Sequence, residues 1–171
     1  LDLLQIDYTI YDSINPEPEL EQVQACIDFY LKNQNDSVIA VGGGSVIDIG
    51  KCVAALANKQ GNIQSYFGTD KVIGRDISLI VIPTTSGTGS EVTNIAILSD
   101  TVNQMKQGIV SDYLLPDVAI VSPLMTISCP ASVTAASGVD ALVHAIEAYI
   151  SVNHSDITDA LALQAIELIV E

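Results

Sequence analysis

The stretch SVIAVGGGSVIDIGK, residues 37–51, decides the fold. Ser37 to Val41 is a short apolar run, the pattern of a strand buried on both faces of a parallel sheet. It passes directly into Gly42-Gly43-Gly44-Ser45, and from Val46 the chain is apolar and helix-compatible to about Asn58. A buried strand that turns through glycines into a helix is the repeating unit of an α/β layer. Such a turn is also suited to anionic phosphate. Glycines let the backbone approach a ligand, and the helix N-terminus offers free N–H groups and the positive end of the helix dipole. The motif alone leaves two readings, a phosphate cradle or a tight strand–helix connection. It is not the dinucleotide fingerprint GxGxxG, because Ile47 stands at the last glycine counted from Gly42. It is not a P-loop either: Gly44 to Gly50 is one residue too long, and Cys52 occupies the position of the magnesium-holding hydroxyl.

The same pattern recurs downstream. Ser78 to Ile82 is a second buried strand, and it ends in Pro83-Thr84-Thr85-Ser86-Gly87-Thr88-Gly89-Ser90, a loop of hydroxyls and glycines. Ligands of open α/β sheets bind beyond the carboxyl ends of the strands. Two such loops therefore predict one shared ligand that carries phosphate, with Gly43, Gly44 and Ser45 close to Thr84 and Thr85 across a cleft.

The rest of the first part extends this alternation. Ile6 to Tyr11 alternates like a strand. Asn15-Pro16-Glu17-Pro18-Glu19 starts a helix whose apolar positions are Leu20, Val23, Ile27, Tyr30 and Leu31. Asn94 to Leu98, Gly108 to Ser111 and Val118 to Val121 are shorter strand candidates, and the last should join the strands at 37–41 and 78–82 in one mainly parallel sheet. After Pro123 the texture becomes helical. Ala131 to Ile150 forms one helix, and Ser155 caps another that runs to the last residue. The fold class is thus α/β, a Rossmann-like nucleotide-binding half (residues 1–123, first strands missing) followed by the start of an all-helical domain (residues 124–171).

Composition narrows the function. Six basic against 21 acidic residues give a formal net charge of −15, which repels nucleic-acid phosphates and anionic membrane surfaces. No apolar run reaches the roughly 18–20 residues of a membrane span. Cys26, Cys52 and Cys129 are odd in number and far apart, so buried free thiols in a cytoplasmic protein are expected, with neither a disulfide framework nor a zinc knuckle. The chain opens Leu-Asp-Leu-Leu without a methionine and ends within a helical run, so it reads as a piece of a longer protein.

The helical part carries one further constellation. In SGVDALVHAIEA, residues 137–148, Asp140, His144 and Glu147 share a helix face. Carboxylate and imidazole at i, i+4 can hold one divalent metal. They also form an ordinary surface pair. The Ala, Val, Leu and Ile around them predict a buried helix, in which ligation would satisfy both polar groups.

Taken together, AVGGGSVIDIGK, IPTTSGTGSEVT, LPDVAIVSP and GVDALVHAIEAY, in this order, resemble the iron-containing (group III) alcohol dehydrogenases. The resemblance implies an NAD- or NADP-linked enzyme that moves a hydride between nicotinamide and a small alcohol or aldehyde. It implies that Gly43, Gly44 and Ser45 wrap the pyrophosphate, that Asp48 approaches the nicotinamide side, that Thr84, Thr85 and Thr88 contact the cofactor, and that Lys106 reaches its ribose. Asp140 and His144 match two of four metal ligands, for Fe2+ by family habit, though nitrogen and oxygen donors do not exclude Zn2+. The other two are histidines beyond Glu171. Glu147 and His154 match no ligand. Ile95 stands where the family often has Asn. With the metal as Lewis acid, no side chain is assigned as general acid or base. The complete protein is expected to be a cytoplasmic homo-oligomer. The rival readings are a glycerol dehydrogenase-like or maleylacetate reductase-like enzyme of the same architecture, and an inactive truncated nucleotide-binding fragment.

Overall fold

The computed structural model describes residues 1–101 and 103–171. Its elements in order are α1 (Leu20–Lys32), β1 (Ser37–Gly42), α2 (Gly44–Leu56), β2 (Gly68–Thr69), β3 (Ser78–Pro83), β4 (Ile95–Asp100), β5 (Met105–Val110), β6 (Val118–Ala119), α3 (Ala131–Ile150) and α4 (Asp156–Val170). They fall into two units, residues 1–83 with 90–122, and residues 84–89 with 123–171.

In the first unit β1, β3 and β6 form one sheet in the order β1-β3-β6, and both pairings are parallel. The expected sheet is therefore present, with β6 shortened: Val118 and Ala119 pair with Ile80 and Val81. Asp117 makes that junction firm. Its Oδ2 accepts the backbone N–H of Leu79 at 2.7 Å, and its Oδ1 accepts a hydrogen bond from Arg75 at 2.6 Å. A second sheet, in the order β2-β5-β4, contains the antiparallel pair β4–β5 and a short parallel pairing of β2 with β5.

Helix α2 is the centre of this unit. It packs against β1, β3, β4 and α1, so Ile47 and every residue from Ile49 to Ala57 is buried. Burying a Leu or Ile side chain stabilises by roughly 1.5–3 kcal/mol, and Ile47, Ile49 and Leu79 are all at most 1% exposed. Gly50 sets the helix–sheet distance: a Cβ at this position would stand 2.8 Å from the Cβ of Ala40 on β1. Only a residue without a side chain lets the helix lie so close.

Residues 6–11 are not a strand. Alternation suggested one, but a strand needs a backbone ladder. This segment is held by side chains instead: Thr9 and Asn35 exchange hydrogen bonds at 3.0 and 3.2 Å, and Tyr11 meets Phe29 edge-on with ring centres 5.3 Å apart.

In the second unit α3 pairs with α4. Helix α4 begins with a reciprocal cap, in which Ser155 and Thr158 satisfy each other's backbone N–H groups. Within these 171 residues the two helices bury little beyond the stripe between them. Among the described residues only Ala145 of α3 and Ala162 of α4 are buried, while Val139, Ile150, Leu161 and Leu168 are each more than half exposed. Apolar residues run around both helices, and each covers only the stripe that faces the other. Of the cysteines, Cys52 is buried and Cys26 and Cys129 are half-buried; all three are free thiols. Among the described residues no helix is long and apolar enough to cross a membrane.

Candidate functional site

The two loops singled out by sequence begin side by side. Parallel pairing puts Gly42, the last residue of β1, opposite Pro83, the last residue of β3. The chain thus leaves the sheet at the same register into Gly43-Gly44-Ser45 and into Thr84-Thr85. Gly43 is the N-cap of α2, and no side chain caps that helix. Its first turn also lacks an acid, whereas α1 and α4 carry Glu21, Asp156 and Asp159 there. The N–H groups of Val46 and Ile47 donate to the carbonyl of Gly43 at 3.0 and 3.1 Å, so it is those of Gly44 and Ser45 that are placed to meet an external anion. Gly43, Gly44, Ser45, Thr84 and Thr85 are half-buried and Thr88 is exposed. The threonine loop is shaped by Gly87, where a Cβ would stand 2.7 Å from the carbonyl oxygen of Ser137 in α3.

Asp48 sits one turn into α2 and is tied to the chain around it. Its Oδ1 accepts a hydrogen bond from Ser90 Oγ at 2.5 Å, and its Oδ2 accepts the N–H of Ile97 at 2.9 Å. A carboxylate has about four acceptor positions, so Asp48 retains capacity for a further donor. Beside it lies Lys51, a residue that sequence reasoning left without a role. Lys51 is fully buried. Its Nζ donates to Ser90 Oγ at 2.9 Å, Thr93 Oγ1 at 3.0 Å and the carbonyl of Ile95 at 2.8 Å, and it stands 3.6 Å from Asp48 Oδ1. Burial lowers its pKa, and the Asp48 carboxylate counteracts part of that. The signal for Lys51 was its position three residues after Asp48 on an otherwise apolar helix. Ile95, where the resemblance implies Asn, contributes its carbonyl to this network, and neighbouring Asn94 donates to Asp112 at 3.0 Å.

Lys106 lies on β5 with its Nζ 3.0 Å from Glu17, and both side chains are more than half exposed. Exposed pairs of this kind contribute about 0–1 kcal/mol, so the lysine is free to exchange partners.

On α3, His144 Nε2 stands 3.6 Å from Asp140 Oδ1, with side chains 60% and 47% exposed. Donors bound about 2.1 Å from one tetrahedral ion lie roughly 3.4 Å apart. The spacing therefore suits a shared divalent cation, and imidazole with carboxylate is a donor set that iron and zinc accept. Among the described residues no third His, Cys, Asp or Glu joins them in a metal-holding group. His154 instead pairs with Asp159 at 2.9 Å.

Comparison with known proteins bears on both halves. Residues 1–123 match the family model described as iron-containing alcohol dehydrogenase, and residues 134–171 match the C-terminal model of the Fe-containing alcohol dehydrogenase family. Among curated proteins, long-chain-alcohol dehydrogenase 1 of Geobacillus thermodenitrificans is 48% identical over 94% of this chain and 41% of its own length. A solved 1,3-propanediol oxidoreductase superimposes with a TM-score of 0.89 at 40% identity, over 94% of this chain and 42% of that one. The sulfoacetaldehyde reductase of Bifidobacterium kashiwanohense in complex with NAD+ gives 0.89 at 39% identity, over 95% of this chain and 43% of its own. The chain spans about two fifths of the length of the curated relatives it matches.

Proposed function

The chain belongs to the iron-containing alcohol dehydrogenase family, and on that premise we propose that it carries the dinucleotide loops and two metal ligands of an NAD(P)-linked, metal-dependent alcohol dehydrogenase. The observation that carries this reading is the common register at which β1 and β3 release the glycine and threonine loops, Gly42 opposite Pro83. One ligand rich in phosphate oxygens suits both. The reading assigns residues 1–123 to cofactor binding and residues 124–171 to the start of the metal-binding part.

In this reading the N–H groups of Gly44 and Ser45, at the uncapped start of α2, hold the pyrophosphate. Thr84, Thr85 and Thr88 supply hydroxyls to the same ligand. Asp48 keeps acceptor capacity toward the nicotinamide side, and Lys106 leaves Glu17 for the ribose. Asp140 and His144 hold the ion, Fe2+ or Zn2+. When bound, the ion supplies Lewis acidity to the substrate oxygen, and the nicotinamide carries the hydride. The substrate is a small alcohol or aldehyde. The complete protein is read as a cytoplasmic homo-oligomer, with its −15 charge disfavouring nucleic acid and anionic membranes.

Ligand count gives the test. An open catalytic site takes about three protein ligands, and this chain offers two. The 171-residue chain alone is expected to bind divalent metal weakly and to show no alcohol-dependent reduction of NAD+. The complete protein is expected to do both. Stoichiometric metal that survives gel filtration on the 171-residue chain would refute this assignment of ligands.

A further inference from the structure

We propose that Gly87 is a positioning residue for hydride transfer: its missing side chain sets how closely the threonine loop lies on the helix face that carries Asp140 and His144. The inference rests on the dinucleotide and metal readings above. A chain keeps a glycine either for its backbone conformation or for the space a side chain would take. Gly89 is the first kind, with φ +61° and, among the described residues, nothing within 4 Å of a Cβ built there. Gly87 is the second. Its φ is not positive, and its Cβ would stand 2.7 Å from the carbonyl oxygen of Ser137, 2.8 Å from its Cβ and 3.0 Å from its Cα. These atoms belong to the backbone of α3 or sit directly on it, so no rotamer change moves them aside.

Ser137 lies on the face of α3 assigned to the metal. Ser137, Asp140 and His144 are spaced i, i+3 and i+7, one side of the helix. With a rise of about 1.5 Å per residue, Ser137 precedes Asp140 by roughly 4.5 Å along the axis. The loop of residues 84–89 belongs to the same compact unit as α3. Ser137 Oγ donates to the carbonyl of Thr134 at 3.1 Å within the helix, so the contact with Gly87 is one of shape. Gly87 thus joins two assignments: Thr85 and Thr88 flank it in sequence, and both metal ligands follow Ser137 on α3. In the reaction a C–H bond of the alcohol breaks, its hydride goes to NAD+ to give NADH, and the hydroxyl proton passes to water. Reacting atoms must stand about 3–3.5 Å apart, and a displacement of about 1 Å can cost roughly a hundredfold in rate. A methyl group wedged at this contact would produce a displacement of that size.

The test compares wild type with Gly87→Ala in the complete protein, using NAD+ and a small primary alcohol. Turnover per bound metal is expected to fall about a hundredfold, while metal content and the Kd for NAD+ stay within about twofold of wild type. A glycine that serves packing alone would lower the folded fraction. Metal content, NAD+ capacity and turnover would then fall together, with turnover per bound metal unchanged; that result overturns the proposal. So does a weakened NAD+ affinity with turnover unchanged at saturating NAD+, which would place Gly87 in binding and not in transfer. A second readout needs no turnover. With paramagnetic Co2+ in the metal site, broadening of the nicotinamide proton signals of bound NAD+ depends steeply on their distance from the ion. It should differ between wild type and Gly87→Ala, and equal broadening overturns the proposal. Should Gly87→Ala fail to fold, Ser137→Gly decides. It removes the Cβ against which Gly87 rests and should lower turnover per bound metal about threefold or more; an unchanged value overturns the proposal. Wild-type protein that binds neither NAD+ nor metal fails differently, because it removes the reading above together with this inference.

Discussion

In the complete protein, His144→Ala is expected to abolish metal-dependent turnover while leaving the fold intact. The two effects separate because of where the side chain lies. Within these 171 residues the His144 side chain is 60% exposed, and its only close polar partner among the described residues is Asp140 at 3.6 Å. No hydrogen bond among the described residues ties His144 into the packing of α3, so its loss leaves the contacts of that helix in place. A ligand is another matter. Disturbing an outer-shell partner of a metal ligand costs roughly 10–100-fold in metal affinity or activity, so loss of the ligand itself should exceed a hundredfold. Bound metal should fall in parallel with turnover. Glu147→Gln is the control on the same helix face, since Glu147 is assigned no ligand role, and it should retain wild-type metal content. Full activity in His144→Ala would show that α3 does not carry the metal.

The second large effect is expected at the start of α2. Gly44 is the first residue of that helix, and its φ is not positive, so a side chain is conformationally allowed. Asp there complements the helix dipole and should stabilise the folded protein by about 0.3–1 kcal/mol. The same carboxylate sits where the pyrophosphate is to be held and repels it. Gly44→Asp is therefore expected to keep or raise the thermal midpoint while weakening NAD+ binding about a hundredfold or more, as a like charge in a phosphate site demands. Calorimetric titration with NAD+ alongside thermal melting reads both signs. If binding survives, the glycine loop is a plain strand–helix turn.

These residues differ in how visible they were beforehand. The glycine loop was legible because it lies between a buried strand and a helix, and local pattern fixes both. The bounds of α3, Ala131 to Ile150, were legible for the same reason: Pro130 precedes it and the chain becomes polar after Ile150. The expected burial of α3 concerns the complete protein; within these 171 residues the helix is largely exposed. A helix apolar on all sides gives no sign of which neighbours it has, and α4 covers only one stripe. The strand expected at residues 6–11 failed because alternation shows which faces differ, not whether a backbone partner exists. Lys51 was hidden for a related reason. Its acceptors lie 39 to 44 residues away in sequence, and only the folded α2–β4 packing brings them to it. Asp48 was identified from the family motif, but its bonds to Ser90 and Ile97 likewise required the fold.

The most direct test of the account is metal removal and return in the complete protein, followed through the absorbance of reduced nicotinamide during oxidation of a small primary alcohol. Chelation should extinguish turnover while NAD+ binding persists, because the ion and the dinucleotide are assigned to different residues. Adding back Fe2+ or Zn2+ should restore turnover in wild type and not in His144→Ala. Turnover that continues undiminished in protein shown to be free of metal would contradict the account.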